Sequence, residues 1–174
     1  MIKRGSGGGL IAVCGLLAAM GCGDDQHVTT LQWYRRPCTG VFPQLCPVEI
    51  APMGQPGFIY DSIQDYQLTW GVEADVRYHI EPGPGGEDAG DYWVVDTVLA
   101  ERTVPPGTAI TWTLRAGEDW AVAVGDHVEV LGEPVACEPT LCAELTSQAG
   151  RLVDVEYTGD AAMPLRAVAV RPAP

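Results

Sequence analysis

The sequence predicts a mostly-β protein: an antiparallel sheet, sandwich or barrel-like arrangement, with one short helix near residues 142–149 and room for two small β halves. Three observations carry that expectation. Between residues 68 and 81, apolar Leu68, Trp70, Val72, Ala74, Val76, Tyr78 and Ile80 alternate with Thr69, Gly71, Glu73, Asp75, Arg77, His79 and Glu81. Such a period of two is the pattern of a strand with one buried face. The loop "PGPGGEDAGD" follows, and "YWVVDTVLAERTV" reads as a second strand, so the pair predicts an antiparallel hairpin. Beyond Pro105-Pro106-Gly107 the strand-like runs are short, at 110–114, 120–124, 127–131, 152–157 and 165–170. Only 142–149 reads as helix, with Gly150 placed to close it.

Taken in order, the chain opens with Lys3, Arg4 and an apolar run over residues 10–20, too short to cross a bilayer as a helix. In "LLAAMGCGDD", small Ala19 and Gly21 precede Cys22, and acidic residues follow. This resembles the lipobox of bacterial lipoproteins, with Met20 a less usual residue inside it. The resemblance implies a signal peptide over residues 1–21, cleavage before Cys22, and a thiol and new amino terminus that carry lipid. Two or more acyl chains hold a protein firmly where one holds it marginally. Residues 22–28 then form a tether. Gly23, where an aspartate would retain an enteric lipoprotein at the inner membrane, points to the outer membrane. A plain secretory leader and an uncleaved anchor are the alternatives.

Removing Lys3 and Arg4 from the 10 basic residues leaves 8, all arginine, against 23 acidic ones, so the net charge moves from −13 to −15. So acidic a chain repels phosphate backbones and anionic lipid, which argues against nucleic acid as a partner. Solubility accounts for the charge more simply than cation binding does.

Six cysteines then sort themselves. Cys14 leaves with the leader and Cys22 takes lipid. The other four form two local pairs, Cys38 with Cys46 and Cys137 with Cys142. Outside the cytoplasm an even set is expected to be oxidised. Four cysteines allow three connectivities, of which local pairing is the most economical, at about 2 to 3 kcal/mol per loop. The spacing of Cys137 and Cys142 alone permits zinc, but Cys38 and Cys46 are too far apart for a knuckle, and His27, His79 and His127 lie scattered. No C-x-x-C redox couple is present. Staples are the expectation, and no metal site or cofactor is expected.

Residues from about 29 to 104 resemble a bacterial family known as domain of unknown function 4377. The resemblance rests on "PCTGVFPQLC", "GFIYDSIQDYQLTWGVEADVRYHIE" and "YWVVDTVLAE", three blocks in order. The family often has Gly-Phe after the isoleucine at Ile63, where Gln64, Asp65 and Tyr66 stand here. The resemblance implies a secreted or lipid-anchored protein, sometimes found beside a META-type domain linked to heat-shock lipoproteins. It also implies a Cys38–Cys46 disulfide. It supplies no activity, and it leaves residues 106–174 as an unassigned β-rich region.

No catalytic residue stands out. After the leader only Ser62 and Ser147 are available as serine nucleophiles, neither in a G-x-S-x-G elbow. Asp61, Ser62, Asp126 and His127 assemble into a triad only on paper. Glu87, Asp88 and Asp91 offer oxygen ligands in no EF-hand spacing. Trp33, Tyr34, Trp70, Tyr78, Trp93, Trp112 and Trp120 read mainly as core, with Tyr92 or Trp93 expected to face outward as a binding aromatic. The leading expectation is a lipid-anchored envelope protein that binds an envelope protein, peptide or glycan without catalysis. A structural or stress-associated envelope component and a carboxylate-dependent hydrolase are the alternatives. A shallow exposed aromatic patch would favour the first.

Overall fold

The computed structural model describes residues 26–51, 54–60, 62–83 and 90–174. The proposed leader, Cys22 and most of the tether lie outside the described residues. The first half of the chain supplies β1 (His27–Thr39), β2 (Pro43–Ile50), β3 (Pro56–Phe58), β4 (Ser62–Gln64), β5 (Val72–Pro82) and β6 (Asp91–Thr103). They form one sheet in the order β3-β2-β1-β5-β6-β4. The second half supplies β7 (Ala109–Leu114), β8 (Ala121–Val124), β9 (His127–Val130), β10 (Glu133–Ala136), helix α1 (Pro139–Leu145), β11 (Arg151–Tyr157) and β12 (Leu165–Pro172). Its sheet runs β7-β11-β12-β10-β9-β8. Pairing is antiparallel except at β4–β6 and β10–β12. Both sheets are open, so the fold is mostly β in two halves and not a barrel.

The expected hairpin is β5–β6, and Ala74, Val76 and Tyr78 bury the expected face. The strand begins at Val72, four residues later than the alternation suggests. Gly71 has φ 81°, a left-handed conformation that ends extended backbone, and the Val72 N–H donates to the Thr69 carbonyl in a turn. The single helix is also displaced, to Pro139–Leu145. Pro139 stands in its first turn, where the missing N–H costs nothing. Its end is closed not by Gly150 but by Arg151, whose buried guanidinium donates to the Leu145 and Ala149 carbonyls and to Ser147 Oγ.

Each half has its own core. In the first, Leu31, Ile59, Ala74, Val76, Tyr78 and Val95 pack together. The second is larger, built on Trp112, Leu114, Trp120, Val128, Val130 and Val153 among others. Leu45 and Trp70 of the first half pack against that second core. The halves therefore share apolar surface as well as chain.

Candidate binding surface

A polar cluster lies at the junction of the halves. Arg35 on β1 reaches Glu133 on β10 at 2.5 Å and donates to the Leu68 carbonyl at 3.1 Å. The other Glu133 oxygen accepts from the Trp70 indole at 3.0 Å, and Arg35 lies 5.6 Å from the centre of the Trp70 ring. The indole N–H of fully buried Trp112 donates to the Arg35 carbonyl at 2.9 Å. Every partner is satisfied, so the cluster joins the two sheets at modest polar cost. Beside it, residues 67–69, 159–161 and Pro164 line a cleft of about 310 Å³ together with Arg35, Trp70 and Tyr157. The Arg35 charge is already neutralised by Glu133, which leaves the cleft little to offer an anion.

The exposed aromatics lie elsewhere. β1 and β2 meet in a hairpin whose tip is Gly40-Val41-Phe42, with Val41 98% and Phe42 66% exposed. Tyr60, 54% exposed, lies under that tip, and its ring stands 6.1 Å edge-on from exposed Phe58. Cys38 and Cys46 lie at disulfide distance across the same hairpin, with Cα atoms 5.9 Å apart. A hairpin tip with few backbone contacts of its own is thus braced where it leaves the sheet. Cys137 and Cys142 also lie at disulfide distance, Cα atoms 5.4 Å apart, and tie the segment after β10 to α1.

The residues singled out from sequence fall as follows. Trp33, Tyr78, Trp112 and Trp120 are buried. Trp93 is half-buried and stacks on Tyr78 with ring centres 4.1 Å apart, while its neighbour Tyr92 is half-buried opposite Ser62. Ser62 sits on β4 in the first sheet and His127 on β9 in the second; Asp61 lies outside the described residues. Asp91 opens β6, whereas Glu87 and Asp88 lie outside the described residues. Among the described residues no group of three or more His, Cys, Asp or Glu side chains is placed to hold a metal ion.

Charged groups on the first sheet pair across strands. Hydrogen bonds from Arg102 and then from Thr30 pull the Asp75 carboxyl down to about 2. His79 sits between Glu81 at 3.1 Å and Asp96 at 2.9 Å, and the Glu81 hydrogen bond, then that of Asp96, raises its pKa. Burial lowers that of Arg151.

The tip aromatics were missed from sequence because Phe42, Phe58 and Tyr60 sit in loops and short strands where no periodicity marks them. A usable signal was present. Residues 37–48 carry no charge in a chain that is 19% charged, and Gly40 with Pro37 and Pro43 marks a turn in that stretch that leaves Val41 and Phe42 at its tip. No family model matches the chain, and neither a curated protein nor a solved structure is detectably similar to it.

Proposed function

We propose that this chain is a lipid-anchored protein of the bacterial cell envelope, held at the outer membrane through Cys22, that acts by binding and not by catalysis. The observation that carries the reading is the exposed patch of Val41, Phe42, Phe58 and Tyr60 on a cysteine-braced hairpin. Exposed large apolar side chains gathered at one place on a surface commonly mark an interaction site. Aromatic side chains contribute large contact area at low entropic cost. The partner is an envelope protein, peptide or glycan, and the resemblance of residues 29–104 to a family of secreted and lipid-anchored proteins agrees with this setting.

Geometry adds a direction. Five residues from Cys22 to His27 reach at most about 17 Å, so the start of β1 stays close to the anchor. At about 3.3 Å per residue, the 13-residue β1 carries the hairpin tip at most about 40 Å from that start, less for its irregularity between Leu31 and Arg35. The patch is offered at the far end of the sheet from the lipid.

The test is a photo-crosslinking residue at position 60 in the lipoprotein expressed in its own host. One discrete envelope product is expected, lost on Phe42→Asp and absent when the crosslinker stands at exposed position 168. Products shared by both positions, or none, would leave a structural component as the better reading.

A further inference from the structure

Strand β8, Ala121-Val122-Ala123-Val124, is the outer strand of the second sheet. It joins β9 through a two-residue turn, Gly125-Asp126, with Gly125 at φ 61°. A two-residue turn makes Val124–His127 and Val122–Glu129 the pairs that exchange hydrogen bonds. The Leu131 N–H to Trp120 carbonyl bond at 3.0 Å continues that alternation. The N–H and C=O groups of Ala121 and Ala123 consequently face away from β9, where no strand of the described residues pairs with them. Val122 is 62% exposed.

Edge strands are normally blunted by a charge, a proline, a bulge or a cover. The first sheet shows such devices where β6 runs past short β4 and becomes the edge: it carries an extra residue at Asp96 and another at Leu99, with Glu101 and Arg102 beyond. Strand β8 is blunted only by its shortness: its four residues are small or β-branched and apolar, in register with β9 and without a bulge. Its ends differ sharply from its middle. Glu118 and Asp119 precede it, fully exposed Asp126 follows it, and Glu129 stands beside it opposite Val122. Their side-chain partners are neutral or weakly basic: Thr39 on Glu118, Gln148 on Asp119 and His127 on Asp126.

That charge pattern selects the occupant. In a second copy paired antiparallel through β8, outward-facing Ala121 would pair with outward-facing Ala123 and Val122 with Val122, which sets Glu118 against Asp126 at both ends. Like charges directly opposite destabilise a strand pair, and both copies are strongly acidic overall. We infer that β8 accepts an extended segment of another protein by strand addition: small apolar residues at its centre, lysine or arginine at its ends. The main chain supplies the hydrogen bonds and the flanking acids supply the choice of partner. This edge belongs to the second sheet and does not depend on the hairpin patch of the first.

The probe is a blocked peptide of alternating valine and alanine with two lysines at each end, compared with one flanked by glutamates. The readout is hydrogen exchange of the detergent-solubilised full chain over residues 120–124. The lysine peptide is expected to slow exchange there on the order of tenfold, less at high salt, and the glutamate peptide to leave it unchanged. Ala123→Pro, which removes an outward N–H at an edge that tolerates proline, and Val122→Lys, which leaves the backbone intact, should both abolish the effect. No slowing with either peptide, equal slowing with both, or slowing that follows protein concentration without peptide would each overturn the inference.

Discussion

Gly71 has two reasons to be glycine, and they separate experimentally. Its φ of 81° strains any side chain, and a Cβ there would fall 2.1 Å from Cζ of Tyr157, a residue of the other half. Backbone strain costs about 1–2 kcal/mol, and the clash adds about 1–3 kcal/mol more. Gly71→Ala is therefore expected to destabilise by about 3 kcal/mol in chemical denaturation. On a Tyr157→Ala background the same change should cost only the backbone part; additive losses would mean the ring does not press on this turn. Asp75 provides a pH test. Its folded pKa of about 2 lies below the unfolded value, so its contribution is present above about pH 4 and is lost as pH falls toward 2. Because the pair is partly exposed, solvent screening holds that contribution to about 1 kcal/mol or less. The denaturation midpoints of the natural protein and Asp75→Asn should differ at pH 6 and converge near pH 2. His79, raised by its carboxylate neighbours, has the opposite sign: its contribution is present below its unfolded pKa and fades as pH rises through the folded one.

Elements were legible in the sequence where burial imposes a period. The β5–β6 hairpin and strands β7, β8, β9, β11 and β12 all follow from alternation or short apolar runs between turn residues. What periodicity could not supply were the junctions. Trp70 belongs to the apolar series by spacing, yet it leaves the strand at Gly71 and packs in the other half, bound to Glu133. Likewise α1 ends where a side chain distant by six residues, Arg151, reaches back to its carbonyls. No local rule reads such a contact from the chain. Strand β10 went unread because Pro134 breaks the pattern, although its neighbours Glu133 and Val135 carry the Arg35 contact and part of the core. The candidate site was half legible: the cysteines of the hairpin declared themselves, while the exposure of Phe42 and Tyr60 needed the fold.

At the scale of the molecule, two sheets with separate cores are held together by a few specific contacts: the Arg35–Glu133–Trp70 cluster, Trp112 on the Arg35 carbonyl, and Tyr157 against Gly71. The arrangement fixes where each surface looks. Under the proposed anchor at Cys22, the braced tip is offered at most about 40 Å along β1 from its tethered start. That arrangement suits a protein that presents a small apolar contact away from its membrane. The most direct measurement is a native mass spectrum of the protein gently extracted from its own host's envelope. The expected mass starts at acylated Cys22, about 4 Da light for two disulfides, with a bound species that disappears in Phe42→Asp. An unlipidated mass starting elsewhere, or free thiols and no bound species, would contradict the account of an anchored, cysteine-braced binder.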